Sequence, residues 1–434
     1  MNVTPQDAYW RHVPVRLDAG RWTTRQVRKR VLVVVHTVTA GQRLLDTARL
    51  LEGDPRIQTF FAAAPDVFSN GVAAFLSELR VLVLPWEQAV QTEFDLALAA
   101  AHGCLHELHA PVIVLPHGAG HNKTVTKPRA PSRRAQAGSP KRQESTAPPP
   151  DAERNVYGFG RQWLVMDGAV VPESLVLSHH DDLARLGREC PEALSVAEVV
   201  GDPCYDRIAA SLPSRALYRE ALRTRHDQKL VLVCSTWGPR SLLGREWPLL
   251  ERLVAELPTE EFRVATLLHP NVWNAHGEWQ IRSWLAGLGR AGLCVVSQQS
   301  DWCGAVAAAD FLIGDHGSLS LYGTMTGSPV LMTRLPDDDL DPASPLAELS
   351  TFAPRLRADR PLRTQLSRGV ATYQAAHHAR VAARITSRPG QFARRMRALL
   401  YRKLRLRAPA ARLTARPARL PEPLVFDDPG CVPR

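Results

Sequence analysis

The feature that most limits what this chain can become is a recurring unit: a short apolar run, a polar or glycine-bearing turn, then a stretch with helical spacing. Its first copy is Val31-Leu32-Val33-Val34-Val35, after which residues 36–41 turn into a helical segment at 42–52. A β-branched run without alternation suits a strand buried on both faces, as in parallel sheets. Residues 57–63, 81–84 and 112–115 repeat the strand pattern, with a helix-like 94–108 before the last. Strand-like 163–165 and 174–178 follow, and then a short helix at 179–186. The pattern returns at 230–234, 263–268, 293–297, 311–313 and 330–332, with helical spacing at 246–257, 279–288 and 302–309 between them. Strands alternating with helices in this way specify βαβ units. At 434 residues there is too much chain for one core. The expected fold is α/β, with two Rossmann-like αβα domains facing across a cleft.

The boundaries read as a basic lead-in at 1–30, a first domain at 31–190, a second at 191–378, and a basic amphipathic helix with a loose tail at 379–434. Within the first domain, 122–155 shifts to Lys, Arg, Pro, Ser, Gln and Ala. Such a segment buries too little apolar area to offset its ordering entropy and reads as a disordered insert. Hydrophobic content of 45% and charged content of 22% are those of a soluble globular protein. The net charge of +11 is carried mainly by Arg, which suits nucleic acid, anionic lipid or a phosphate-rich ligand. No recognition motif accompanies the charge, so nucleic acid is not an expected partner. Seven cysteines at irregular spacing, with no Cys-x-x-Cys pair, read as free thiols of a reducing compartment. With no apolar leader and no bilayer-length apolar run, the expected location is the cytoplasm or the inner face of its membrane. The second option rests on 380–407, where Phe392, Met396, Leu399, Leu400 and Leu404 alternate with arginines. That pattern fits either an anionic membrane surface or a helix docked on the protein itself.

Several strand ends carry polar residues that packing does not require. His36 follows the first run, and His117 follows another, with Gly118 and Gly120 leaving the backbone room for a ligand. His117 reads either as a hydrogen-bonded structural residue or as a general base. In the second domain, Ser235 and Thr236 leave one strand and His269-Pro270 ends another. The stretch Gly314-Asp315-His316-Gly317-Ser318-Leu319-Ser320 joins a strand to a helix. Such a turn gathers backbone N–H groups and the positive helix end where an anion binds, with Ser318 and Ser320 beside it. Both serines also suit plain helix capping.

Taken in order, these pieces resemble the GT-B-type nucleotide-donor transferases, and among them the CDP-glycerol glycerophosphotransferase family. The carrying motifs are His117-Gly118, Gly201-Asp202-Pro203-Cys204-Tyr205-Asp206, Ser235-Thr236-Trp237, His269-Pro270 and Asp315-His316-Gly317-Ser318. The resemblance implies a transferase moving a glycerophosphate, another polyol phosphate or a glycosyl group from a nucleotide diphosphate donor to a hydroxyl acceptor, lipid-linked or free, in surface-polymer synthesis. It implies catalytic His117 and His269, with His117 as base. Donor contacts would come from Ser235, Thr236, His269, Asp315, His316, Gly317, Ser318 and Ser320, with His36, Gly118 and Gly120 on the acceptor side. No metal or cofactor is implied. Leu319 stands where the family has a second serine, and Tyr322-Gly323 where it has an acidic residue. Those departures leave two alternatives open: a non-catalytic nucleotide-binding protein, or a UDP-sugar transferase or 2-epimerase on the same scaffold.

Overall fold

Burial of the apolar runs dictates the architecture. In the computed structural model, which describes residues 10–16, 18–126, 154–336, 339–410 and 413–426, every long run becomes an interior strand. The strands in chain order are β1 (Lys29–Val35), β2 (Ile57–Ala63), β3 (Val83–Leu84), β4 (Leu96–Ala99), β5 (Val112–Val114), β6 (Thr124–Thr126), β7 (Arg154–Val156), β8 (Val165–Met166), β9 (Ala169–Val170), β10 (Ser174–Leu177) and β11 (Ala197–Val199). The second domain adds β12 (Lys229–Ser235), β13 (Phe262–Leu268), β14 (Cys294–Val295), β15 (Phe311–Gly314) and β16 (Val330–Met332). The first sheet runs β11-β10-β5-β4-β1-β2-β3 and the second β14-β13-β12-β15-β16. All pairings within both are parallel. Val31 to Val35 and Leu230 to Val233 are fully buried, as central parallel strands must be.

Strand order fixes where a ligand can sit. In the first sheet the order reverses between β1 and β4, and in the second between β12 and β15. Loops leaving adjacent strands at a reversal diverge to opposite faces, opening a crevice at the carboxyl ends. The two crevices belong to facing domains.

Four expectations need correction. The helix-like 94–108 contains the central strand β4 and a short 3-10 turn, Leu105–Glu107. Leu and Ala favour helix, but Leu96, Ala97, Leu98 and Ala99 are all fully buried between β1 and β5, and propensity is a weak prior against such a slot. Strand-like 163–165 is instead the last turn of helix Arg161–Leu164 leading into β8. A boundary at 190/191 cuts the first sheet, because β11 pairs in parallel with β10 through Leu177 and Val199. The tail beyond Pro409 is packed over 413–426: Leu424 N–H donates to Val295 O (2.8 Å), Ser297 N–H to Glu422 O (2.9 Å), and Tyr218 Oη–H to Ala418 O (2.9 Å).

The amphipathic segment forms helix Phe392–Lys403, which returns from the second domain to the first. Phe392, Met396, Leu399, Leu400 and Leu404 are buried in one cluster with Val31, Val33, Val35 and Leu44. Its basic face is tied down as well. Arg402 pairs with Glu198 (2.5 Å), Lys403 with Glu173 (2.8 Å), and Arg395 Nε donates to Val199 O (3.1 Å). The apolar face of this helix is therefore packed on the protein itself, the second of the two readings of 380–407. Among the described residues no helix is long and apolar enough to cross a membrane. Most of the insert expected at 122–155 lies outside the described residues. Its ends pair as the antiparallel strands β6 and β7.

Candidate functional site

A cavity of about 1590 Å³ lies between the domains, walled by the carboxyl ends of both sheets. Its lining includes His117, Gly118, Lys123, Ser235, Thr236, Trp237, His269, Asp315, His316, Gly317, Ser318 and Ser320. The sequence-predicted residues of both domains thus meet at one place. His36 and Gly120 do not line it. His36 is fully buried behind the wall, its Nε2 bonded to Gly103 O (2.7 Å), and burial lowers its pKa.

Two imidazoles carry opposite proton polarity. Because a carbonyl only accepts, the contact of His117 Nδ1 with Ala100 O (3.2 Å) places the proton on Nδ1 and leaves the Nε2 lone pair available. His269 is the mirror case. It caps helix Pro270–His276 by accepting Asn271 N–H at Nδ1 (3.1 Å), which puts its proton on Nε2. That Nε2 lies 3.4 Å from Thr39 Oγ1 of the first domain. His117 is exposed to the cavity, and partial desolvation by the cavity walls lowers its pKa to about 4, opposed by its bond to Ala100 and assisted by Arg43. Burial lowers that of His269 to about 3, with His117 and Lys123 adding to it. Both rings are neutral at pH 7, one an acceptor and the other a donor.

The serine-rich turn behaves differently from expectation. Asp315 is not free for a ligand: Oδ2 accepts Thr236 N–H (2.8 Å), Thr236 Oγ1–H (2.7 Å) and Leu242 N–H (2.9 Å), while Oδ1 accepts Gly317 N–H (3.1 Å). Ser235 Oγ–H donates to Thr236 O (2.9 Å), and Ser320 Oγ–H to Asp315 O (2.7 Å). Asp315, bonded to Thr236 and Leu242, ties the switch-point loops of β12 and β15 together, while the Ser235 and Ser320 bonds brace each loop internally. Ser318 Oγ instead accepts Ala119 N–H from the first domain (3.1 Å). A Cβ on Gly118 would come within 2.6 Å of that oxygen, so glycine is what lets the two domains touch there. His316 Nε2 is 3.5 Å from Thr236 Oγ1, its Nδ1 has no partner, and burial brings its pKa down to about 4. The helix opening at Ser318 has Gly317 at its cap and runs only to Gly323.

Several cavity residues escaped the sequence reading as site residues. Lys123, isolated in the sequence at the edge of the insert, is exposed and faces the cavity, and partial desolvation there lowers its pKa against an opposing pull from Asp315. Arg43 belongs to helix Val38–Ala48, whose cap is Thr37. Thr39, Gln42, Arg43 and Asp46 recur at i, i+3, i+4 and i+7 and all line the cavity. That polar stripe, opposite buried Val38 and Leu44, was the available signal. Tyr322 bonds the carboxylate of Asp202 (3.1 and 3.0 Å) and also lines the cavity. Trp237 packs on Phe68 of the first domain (4.5 Å between ring centroids) and lies 6.3 Å from His269. Among the described residues no group of three or more His, Cys, Asp or Glu is arranged to hold a metal ion.

Paired doubly wound domains with their switch points opposed define the GT-B-type fold. Comparison with solved structures agrees. The wall teichoic acid polymerase TagF is similar with a TM-score of 0.55 at 13% identity, over 88% of this chain and 90% of that one. A TagF H444N variant soaked with CDPG for 15 minutes gives 0.54 at 13% identity, over 88% and 89%. No family model and no curated protein matches the sequence.

Proposed function

We propose that this chain is a transferase, moving a glycerophosphate, another polyol phosphate or a glycosyl group from a nucleotide diphosphate donor to a hydroxyl acceptor. The observation that carries the reading is the pair of neutral imidazoles of opposite polarity, one from each domain, lining one cavity. In the polyol-phosphate form, His117 Nε2 takes the proton of the acceptor hydroxyl as its oxygen attacks the donor's distal phosphorus. The bond from that phosphorus to the bridging oxygen breaks, and a nucleoside monophosphate leaves. His269 Nε2–H donates to the charge growing on the leaving phosphate. Lys123 adds a cation to the same cavity. The chemistry asks for no metal. The similarity to TagF, one of whose structures was soaked with CDPG, makes CDP-glycerol the first donor to try.

His117→Ala tests this directly. With CDP-glycerol and UDP-sugars as donors, turnover is expected to vanish while donor binding, followed calorimetrically, persists. Unchanged turnover would remove His117 as base and the reading with it.

A second reading, a nucleotide-binding protein without turnover, draws on one observation. The Ser235, Thr236 and Ser320 hydroxyls are all spent on protein groups, which leaves the donor side with fewer free hydroxyls than its motif suggests. Tight nucleotide binding without product from any acceptor would establish it.

A further inference from the structure

Helix Val38–Ala48 carries Arg43 into the junction of the two domains, where the guanidinium is only 3% exposed. Its Nη2 donates to Asp202 Oδ2 (3.0 Å) and to Tyr322 Oη (3.1 Å). Nε and Nη1 have no partner, although both are buried. The surrounding carboxylates are committed elsewhere. Asp202 also accepts Tyr205 N–H (2.7 Å) and the Tyr322 hydroxyl, and Asp46 pairs with Arg207 (3.4 Å), which in turn pairs with Asp301. A buried cation with unmet N–H groups carries an uncompensated desolvation cost, which an anion from the cavity would relieve.

We propose that Arg43 is an oxyanion-binding residue of the cavity, its Nε and Nη1 groups receiving a phosphate oxygen of a substrate beside His117. Arg43 and His117 line the same cavity. The guanidinium also lowers the basicity of the His117 ring, so a phosphate seated on Arg43 lies within electrostatic reach of the base. The phosphate comes from the donor diphosphate or from a phosphorylated acceptor, and the two sources separate by experiment. The proposal rests on the transferase reading, since it places a phosphate substrate in that cavity.

The full-length chain is titrated with inorganic pyrophosphate, CDP-glycerol and glycerol 3-phosphate, alongside Arg43→Gln, Arg43→Lys, Tyr322→Phe and the double variant Arg43→Gln/Asp202→Asn. The double variant removes the buried charge pair together, so it folds where Arg43→Gln alone leaves Asp202 uncompensated. Pyrophosphate affinity is expected to fall at least tenfold in the double variant and in Arg43→Gln. Arg43→Lys should recover part of the loss, and Tyr322→Phe, which removes one partner of Nη2 and leaves Nε and Nη1 in place, should lower affinity clearly less than Arg43→Gln does. A purely structural clamp would instead weaken binding in every variant in step with its unfolding midpoint, and that result overturns the proposal. Loss of CDP-glycerol affinity assigns the donor phosphate, whereas a raised KM for glycerol 3-phosphate at unchanged donor affinity assigns the acceptor. If wild type turns over but the double variant binds all three probes equally well, Arg43 alone is refuted. If wild type binds none of the three, the transferase reading falls too.

Discussion

The two walls of the cavity hold polar residues of similar kinds and use them in opposite ways. On the second-domain wall, Asp315 accepts four hydrogen bonds, and Ser235, Thr236 and Ser320 each donate to a protein oxygen. On the first-domain wall, His117 keeps a free Nε2 lone pair, Arg43 keeps two unpartnered nitrogens, and Lys123 faces the cavity. The difference teaches that a side chain at a switch point builds the wall when its bonding capacity is filled, and that under the proposed transferase function the side chains with capacity left are the ones to meet a ligand. His269 and His316 stand apart from their wall: the cap bond of His269 uses Nδ1 and leaves Nε2–H with only the 3.4 Å contact to Thr39 Oγ1, and His316 Nδ1 has no partner.

Substitutions can break that contrast, and the largest effect should come from the unspent side. His269→Ala is expected to reduce turnover by about 10² to 10³, the usual loss for one preorganised charge-stabilising donor, while stability falls by only about 1 kcal/mol, the cost of its helix-cap bond. Asp315→Ala should do the reverse. Its loss strands several buried donors and should cost about 3 to 5 kcal/mol of unfolding free energy, measured by urea denaturation. Ser320→Ala removes one bond to Asp315 O and should cost about 1 kcal/mol. Lys123→Met, on the cavity surface, should change stability by under about 0.5 kcal/mol, yet weaken nucleotide affinity. A Lys123 variant that unfolds while Asp315→Ala stays stable would invert the comparison.

Acidity sharpens the same contrast. His117, His269 and His102, the last also near 3 through burial, take up protons less readily folded than unfolded. Their contribution to stability is therefore complete above about pH 6.5, the ordinary histidine value, and is lost as pH falls from there toward 4 and 3. Turnover should hold between pH 7 and 5.5 instead of titrating near 6.5, as a pH–rate profile would show.

Much of this fold was readable from residues because parallel strands announce themselves. Val31 to Val35 and Leu230 to Cys234 have no other stable use than a doubly covered strand. β4 was hidden because Leu-Ala-Leu-Ala has helical propensity, and only its two neighbours reveal the slot. The tail along β14 was hidden because proline-rich chain shows no period when it binds by a few backbone bonds. On the cavity wall, the places of His117 and His269 were legible from strand-end position. Arg43 was not, since a guanidinium with unmet N–H groups is visible only once Asp202 and Tyr322 are placed around it. The inter-domain contact of Ser318, which also lines the cavity, was hidden for a related reason. Its hydroxyl faces Ala119 from the other domain, a contact made 199 residues away in sequence.

The account stands on two neutral imidazoles of opposite proton polarity, and ¹⁵N NMR of the histidine rings at pH 7 measures that property without assuming any substrate. Assigned through His117→Gln and His269→Gln, the spectra should show His117 protonated at Nδ1 and His269 protonated at Nε2, with neither titrating until well below pH 6. Two rings in the same tautomer, or either one as imidazolium at pH 7, would contradict it.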